Sequence, residues 1–86
     1  MITDEEYKKI SWASRRGMLE LDLIMAPFVE QKLRDLPVID QQRYIRLLEE
    51  EDNDLFAWLL GRSEPDDAEL AIIVKQMIKH AREPKA

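Results

Sequence analysis

The sequence predicts an all-α protein, a compact five-helix bundle, and three observations carry that reading. No stretch alternates apolar and polar residues with the period of a strand. Apolar residues instead recur every three or four positions, most cleanly near the C-terminus, where Leu70, Ile73, Val74, Met77, Ile78 and Ala81 share one helical face. The two glycines and four prolines fall where helices would end or bend. A chain of 86 residues is the length of one domain, so residues 1–86 read as a single helical unit with frayed ends. A domain this small buries only about 60% of the surface its unfolded chain exposes, so the core is thin.

The helices follow in order. Thr3 can cap the first, with Glu6 three residues later as the partner of a capping box. Tyr7, Ile10 and Ala13 then recur at helical spacing, and Gly17 ends or bends this helix. The second helix is expected over about 18–36, with Leu21, Ile24, Met25, Phe28, Val29, Leu33 and Leu36 mostly on one stripe. Pro27 lies inside it and predicts a kink near Ala26, because proline removes a helical hydrogen bond and crowds the preceding turn. Pro37 stops it. Asp40 can cap a third helix over about 41–51, with Tyr44, Ile45, Leu47 and Leu48 as its apolar positions. Asp52 can cap a short fourth helix that buries Leu55, Phe56 and Leu59, with Trp58 at least partly structural and Gly61 closing the helix in a left-handed C-cap. The last helix is expected over about 67–82, with Lys75, Lys79 and Arg82 toward its negative end.

Charge and composition exclude several functions. The net charge is −5, and residues 37–69 hold ten acidic against three basic side chains. That balance argues against nucleic acid, where phosphate neutralisation supplies most of the affinity. It offers either a solvated surface or a face that steers a basic partner. Residues 70–86 are the reverse, with four basic and one acidic. Cysteine is absent, which removes disulfides, thiolate metal sites and cysteine nucleophiles together. The one histidine, His80, is assigned to the polar side of the last helix with no further ligands around it, so neither a metal nor a catalytic role is expected. An EF-hand loop counted from Asp52 would put Ala57 at the glycine position and Ser63 at the bidentate glutamate position, so the acidic run 49–54 is no calcium loop. Two isolated glycines build no phosphate-binding loop, and no FAD or other cofactor site is expected. No apolar run approaches the roughly 20 residues of a membrane span. The start, Met-Ile-Thr-Asp-Glu-Glu, resembles neither a signal nor a transit peptide, so the expected address is the cytoplasm.

The informative stretch is Arg15-Arg16-Gly17-Met18-Leu19-Glu20-Leu21-Asp22. A helix stop followed by a new helix with an acidic first turn explains Gly17 and Glu20. It explains two adjacent arginines less well, because positive charge is unfavourable beside a helix N-terminus. The functional reading has Arg16 and Glu20 presented outward as a paired polar patch, neither of them buried.

The run from Trp12 to Asp22 resembles the hallmark of the SdhE/YgfY family, small assembly factors for the flavoprotein subunit of succinate dehydrogenase. The family's Arg-Gly-x-x-Glu motif falls on Arg16, Gly17 and Glu20. A second block matches at Leu47-Leu48-Glu49, Asp52 and Asp54-Leu55-Phe56-Ala57-Trp58-Leu59, and Met25-Ala26-Pro27-Phe28 resembles the family's kinked second helix. The resemblance implies a five-helix bundle that binds the flavoprotein subunit of succinate dehydrogenase, and often that of fumarate reductase, and promotes covalent attachment of FAD to it. It implies a bacterial cytoplasmic member without enzyme activity of its own. The candidate partner-binding set is then Arg15, Arg16, Gly17, Met18, Glu20, Asp22, Glu49 and Asp52, with Gly17 allowing close backbone approach. The free protein is expected to be a monomer with no direct membrane insertion. The alternative is an antitoxin-like regulatory adapter that binds a small membrane protein or another protein client.

Overall fold

In the computed structural model, which describes residues 2–83, every regular element is helical. They are α1 (Asp4–Ala13), α2 (Leu19–Gln31), a 3-10 turn (Leu33–Asp35), α3 (Val38–Leu47), α4 (Asp52–Leu59) and α5 (Ala68–Arg82). This is the all-α, five-helix architecture the sequence predicts. The fraying expected of residue 1 and residues 84–86 lies outside the described residues.

Local chemistry sets most of the ends. At α1 the Glu6 amide donates to Thr3 Oγ1 at 3.1 Å, and the Thr3 amide donates to Glu6 Oε1 at 3.1 Å. The backbone donor holds the Glu6 carboxyl below its usual range. At α5 the Asp67 carboxylate accepts the amides of Glu69 and Leu70 at 2.8 and 3.4 Å. At the end of α4, Gly61 has φ +75°, its amide donates to the Trp58 carbonyl at 3.1 Å, and the Arg62 amide donates to the Ala57 carbonyl at 2.8 Å. Those two bonds are the Schellman pair, and only the left-handed backbone that glycine favours allows them.

Three expected boundaries move. α2 ends at Gln31 and passes into the 3-10 turn, short of the expected residue 36, with Pro27 accommodated inside it. α3 runs from Val38 to Leu47, not over 41–51. Pro37 is its N-cap residue, since a proline there costs no hydrogen bond and its φ of −53° already suits a helix start. Asp40 therefore caps nothing. It is buried in the first turn and paired to Arg43 Nη1 at 2.7 Å. Glu51, not Asp52, occupies the cap of α4, and Asp52 is its first residue.

The core is the meeting of α2, α3, α4 and α5. Leu21, Met25, Phe28 and Val29 of α2, Tyr44 and Leu47 of α3, Leu55 and Leu59 of α4, and Leu70, Ile73, Val74 and Met77 of α5 are buried together. Trp58 and Phe56 are half-buried and pack against this core, whereas Ile45 is exposed. Arg43 reaches from α3 to Glu69 at 3.0 Å, and Arg46 reaches Asp67 at 2.5 Å, so charge pairs rim the α3–α5 contact. Hydrogen bonding to Arg46, with the Glu69 amide, holds the Asp67 carboxyl below its usual range.

His80 is not on the polar side. It is buried, with Nε2 2.9 Å from Gln31 Oε1 and its ring edge-on to Phe28 at 5.6 Å. Its position explains this, because it follows Ile73 by seven residues and Met77 by three, on the buried stripe.

Candidate functional site

The site is built where α1 hands over to α2. α1 ends at Ala13, and Ser14 is its C-cap residue. The Ser14 hydroxyl lies 2.7 Å from the Ile10 carbonyl and 2.7 Å from the Tyr44 hydroxyl. A carbonyl only accepts, so Ser14 donates to Ile10 and Tyr44 donates to Ser14. The pair ties the end of α1 to the middle of α3. Burial pushes the Tyr44 phenol up to about 12, against the opposing pull of the Ser14 bond and the Arg16 charge.

The chain then crosses in four residues to Leu19. Gly17 has φ +77°, and a Cβ built on it would meet nothing within 4 Å. The glycine is thus required by backbone conformation, and its α-carbon faces open space. That differs from the close intramolecular approach a glycine often marks. Met18 is half-buried against the core and stands at the N-cap of α2 without a side-chain capping bond. The loop is closed by Asp22, whose Oδ1 accepts the Arg16 amide at 2.9 Å.

The two arginines part company. Arg15 is exposed. The Arg16 side chain is only 18% exposed and runs inward. Its Nη2 donates to the Leu48 carbonyl at 2.5 Å, and its Nη1 stands 3.6 Å from Asp52 Oδ1. Arg16 and Glu20 therefore do not form the outward pair that their spacing suggests. The carbonyl at the end of α3 and the carboxylate at the start of α4 offer Arg16 acceptors that solvent-facing Glu20 does not match. A long guanidinium stem can also cover apolar surface on the way.

Of the eight sequence-predicted residues, the structure gathers Arg16, Asp22 and Asp52 into one polar knot, with Glu49 exposed immediately after Leu48. Arg15, Gly17 and Glu20 lie on the outer surface of the same junction, and Met18 faces inward. Three residues outside that set belong in the description. Trp12 is 76% exposed, and Leu19 and Leu23, one turn apart on α2, are 68% and 66% exposed. The signal was present, since Leu19 and Leu23 fall off the stripe that Leu21, Met25 and Phe28 define. Contiguous apolar area left in solvent marks interaction surfaces, and Leu19 and Leu23 adjoin on one helix face; Val38, Ile39, Ile45, Leu60 and Ile72 are also exposed, less strongly, on other elements. Among the described residues, no group of three or more His, Cys, Asp or Glu is placed to hold a metal ion, and no helix is long and apolar enough to cross a membrane.

Comparison with known proteins agrees with this architecture. Residues 8–81 match the family described as "Flavinator of succinate dehydrogenase". A Pseudomonas aeruginosa protein named FAD assembly factor SdhE is 45% identical over 78 residues, covering 91% of this chain and 93% of that one. The protein of the same name from Vibrio cholerae is 41% identical over 80 residues, covering 93% of each. A solution structure described as that of a UPF0350 protein is similar with a TM-score of 0.77 at 41% identity, over 93% of this chain and 85% of that one. The chain belongs to the family of flavinators of succinate dehydrogenase.

Proposed function

We propose that this protein binds the flavoprotein subunit of succinate dehydrogenase and promotes covalent attachment of FAD to it, with the α1–α2 junction as its docking face. The names of its relatives support the client, and one structural observation supports the face. Arg15 and Glu20 are exposed before and after Gly17 in the chain, and a Cβ added at Gly17 would meet nothing within 4 Å. A client backbone can approach there closely, between a cation and an anion. Exposed Leu19 and Leu23 lie on the same helix turn and the next, and add apolar area to those polar contacts. Met18 from below and Glu49 from the α3–α4 turn complete the surface, and Arg16, Asp22 and Asp52 underlie it.

The protein acts by binding, and bond formation to the flavin takes place on the client. A binder shifts a client toward a competent conformer only by preferring it, so the contacts at this face must be stronger to that conformer than to others. Losing one charged, desolvated contact across such an interface costs roughly 2–5 kcal/mol of binding. We further propose that the free protein is a monomer acting in the cytoplasm, and that the flavoprotein of fumarate reductase is a second client.

The test is in-gel flavin fluorescence of denatured flavoprotein, in cells lacking their own factor. The parent chain should restore the signal. Gly17→Arg fills the open approach with a bulky cation and should restore none, and Glu20→Ala should restore little. If both variants restore fluorescence as the parent does, the docking face lies elsewhere.

A further inference from the structure

We propose that Arg16 is a positioning residue: its guanidinium couples the α1–α2 loop to the α3–α4 elbow and so sets the two chain segments of the docking face against each other. This rests on the docking reading above.

Three attachments converge on this residue. Leu48 is the C-cap residue of α3, and its carbonyl is one of those a helix end leaves without an intrahelical partner. Arg16 Nη2 supplies the missing donor at 2.5 Å, placing a cation at the negative end of the helix. Asp52 opens α4, where the helix dipole favours an anion, and Arg16 Nη1 stands 3.6 Å from it. The amide of the same arginine is held by Asp22 of α2 at 2.9 Å. One residue thus touches the end of α3, the start of α4 and the first turn of α2.

The arrangement is not one that stability alone would select. Arg16 Nε is buried and has no hydrogen-bond partner among the described residues. An unsatisfied buried donor costs stability, and an ion pair at 3.6 Å whose Asp52 side chain is 40% exposed adds little. What the guanidinium provides is registry: its fork is planar and rigid, so one group holds a hydrogen bond to the Leu48 carbonyl and an ion pair with Asp52 on the next helix. With most of its surface covered, Arg16 has little to offer a client directly. Arg15 and Glu20 do have that surface, and Glu49, next to the clamped Leu48 carbonyl, is displayed by the elbow that Arg16 holds.

Two measurements test the assignment. The first uses the free protein: amide 1H–15N spectra of the parent, Arg16→Ala, Arg16→Lys, Asp52→Asn and, as a surface control, Arg15→Ala. Arg16→Ala should shift the amides over 48–52 as well as those around Asp22, Asp52→Asn should shift the elbow and the loop together, and Arg15→Ala should leave the elbow still. Arg16→Lys keeps charge but reaches one acceptor, so it should fall between. The second is a double-mutant cycle on binding to purified, FAD-loaded flavoprotein subunit. Arg16→Ala should weaken binding by about tenfold or more, and adding Asp52→Ala should weaken it further by less than about threefold, because coupled residues are not additive. Unmoved 48–52 amides in Arg16→Ala would show that the guanidinium does not hold the elbow, and a full single effect of Asp52→Ala added to Arg16→Ala would show that the two residues act on the client independently; either result overturns the clamp. If Arg16→Ala does not fold, Arg16→Lys and Asp52→Asn carry the same comparison. If the parent itself fails to bind the flavoprotein, the docking reading falls, and the amide spectra decide the clamp separately.

Discussion

The last helix and the first helix junction are held together by different physics. α5 is positioned by repetition: Leu70, Ile73, Val74 and Met77 recur on one stripe, Asp67 caps the start, and Lys79 and Arg82 meet the dipole at the end. Every one of those contributions is local in sequence or periodic. The α1–α2 junction has almost none of them. Its helix start lacks a side-chain cap, and it leaves Trp12, Leu19 and Leu23 in solvent. Its shape is fixed by single polar contacts, two of which cross 30 and 32 residues of sequence, from Ser14 to Tyr44 and from Arg16 to Leu48. A region that leaves Trp12, Leu19 and Leu23 in solvent and turns Arg16 inward is not built by self-packing alone, and that contrast adds to the support for the docking face.

The contrast is sharpest at the largest expected effect. Phe28 is buried and packs on Tyr44 at 5.7 Å and on His80 at 5.6 Å. Phe28→Ala should cost about 3–5 kcal/mol in denaturant unfolding. Leu23→Ala, five residues earlier on the exposed side of the same helix, should stay within about 0.5 kcal/mol of the parent. Equal losses at the two positions would erase the distinction between scaffold and face.

Next in size is the polar tie between α1 and α3. Ser14→Ala strands the buried Tyr44 hydroxyl and should cost about 1–3 kcal/mol, whereas Tyr44→Phe removes the donor as well and should cost about 0.5–1.5 kcal/mol. The same tyrosine gives the tie a pH signature. Its folded value, about 12, lies above the unfolded value of 10.0. A raised pKa favours the protonated fold, so this contribution is complete below pH 10 and is lost as pH rises from about 10 to 12, at up to about 1.4 kcal/mol per pH unit. Urea midpoints measured from pH 9 to pH 12 should fall more steeply for the parent than for Tyr44→Phe. Parallel curves would mean that the phenol ionises as freely in the fold as out of it.

Smaller again is Gly17→Ala. Nothing crowds the new methyl, but φ +77° is a left-handed backbone that costs an L-residue roughly 1–2 kcal/mol. Thermal melts should show that loss with the cooperative transition intact. A much larger loss would make the junction part of the packed scaffold.

These differences also explain what the sequence disclosed. The limits of α5 and the left-handed Gly61 are legible because each depends on residues within a few positions of one another; that Asp67 caps α5 is seen only in the structure. The start of α3 is not, because Pro37 both ends one segment and begins the next, and Asp40 has the chemistry of a cap without its position. His80 is misassigned by residue type, since its spacing from Ile73 and Met77 already places it on the buried stripe. The Arg-Gly-x-x-Glu run shows where a site lies but not which way its side chains point. Arg16 turns inward because its acceptors are Leu48 and Asp52, more than thirty residues away, and no local rule connects them.

The smallest expected change in stability accompanies the central claim, and one paired measurement tests it. Glu20→Ala and, as a control on the far helix, Lys79→Ala are melted beside the parent and then titrated calorimetrically into FAD-loaded flavoprotein subunit. Both positions are exposed, so each melt should match the parent to within about 0.5 kcal/mol. Lys79→Ala should bind as the parent does, and Glu20→Ala should bind about tenfold more weakly or worse. Parent-like binding by Glu20→Ala, or equal weakening by both variants, would contradict a docking face at the α1–α2 junction.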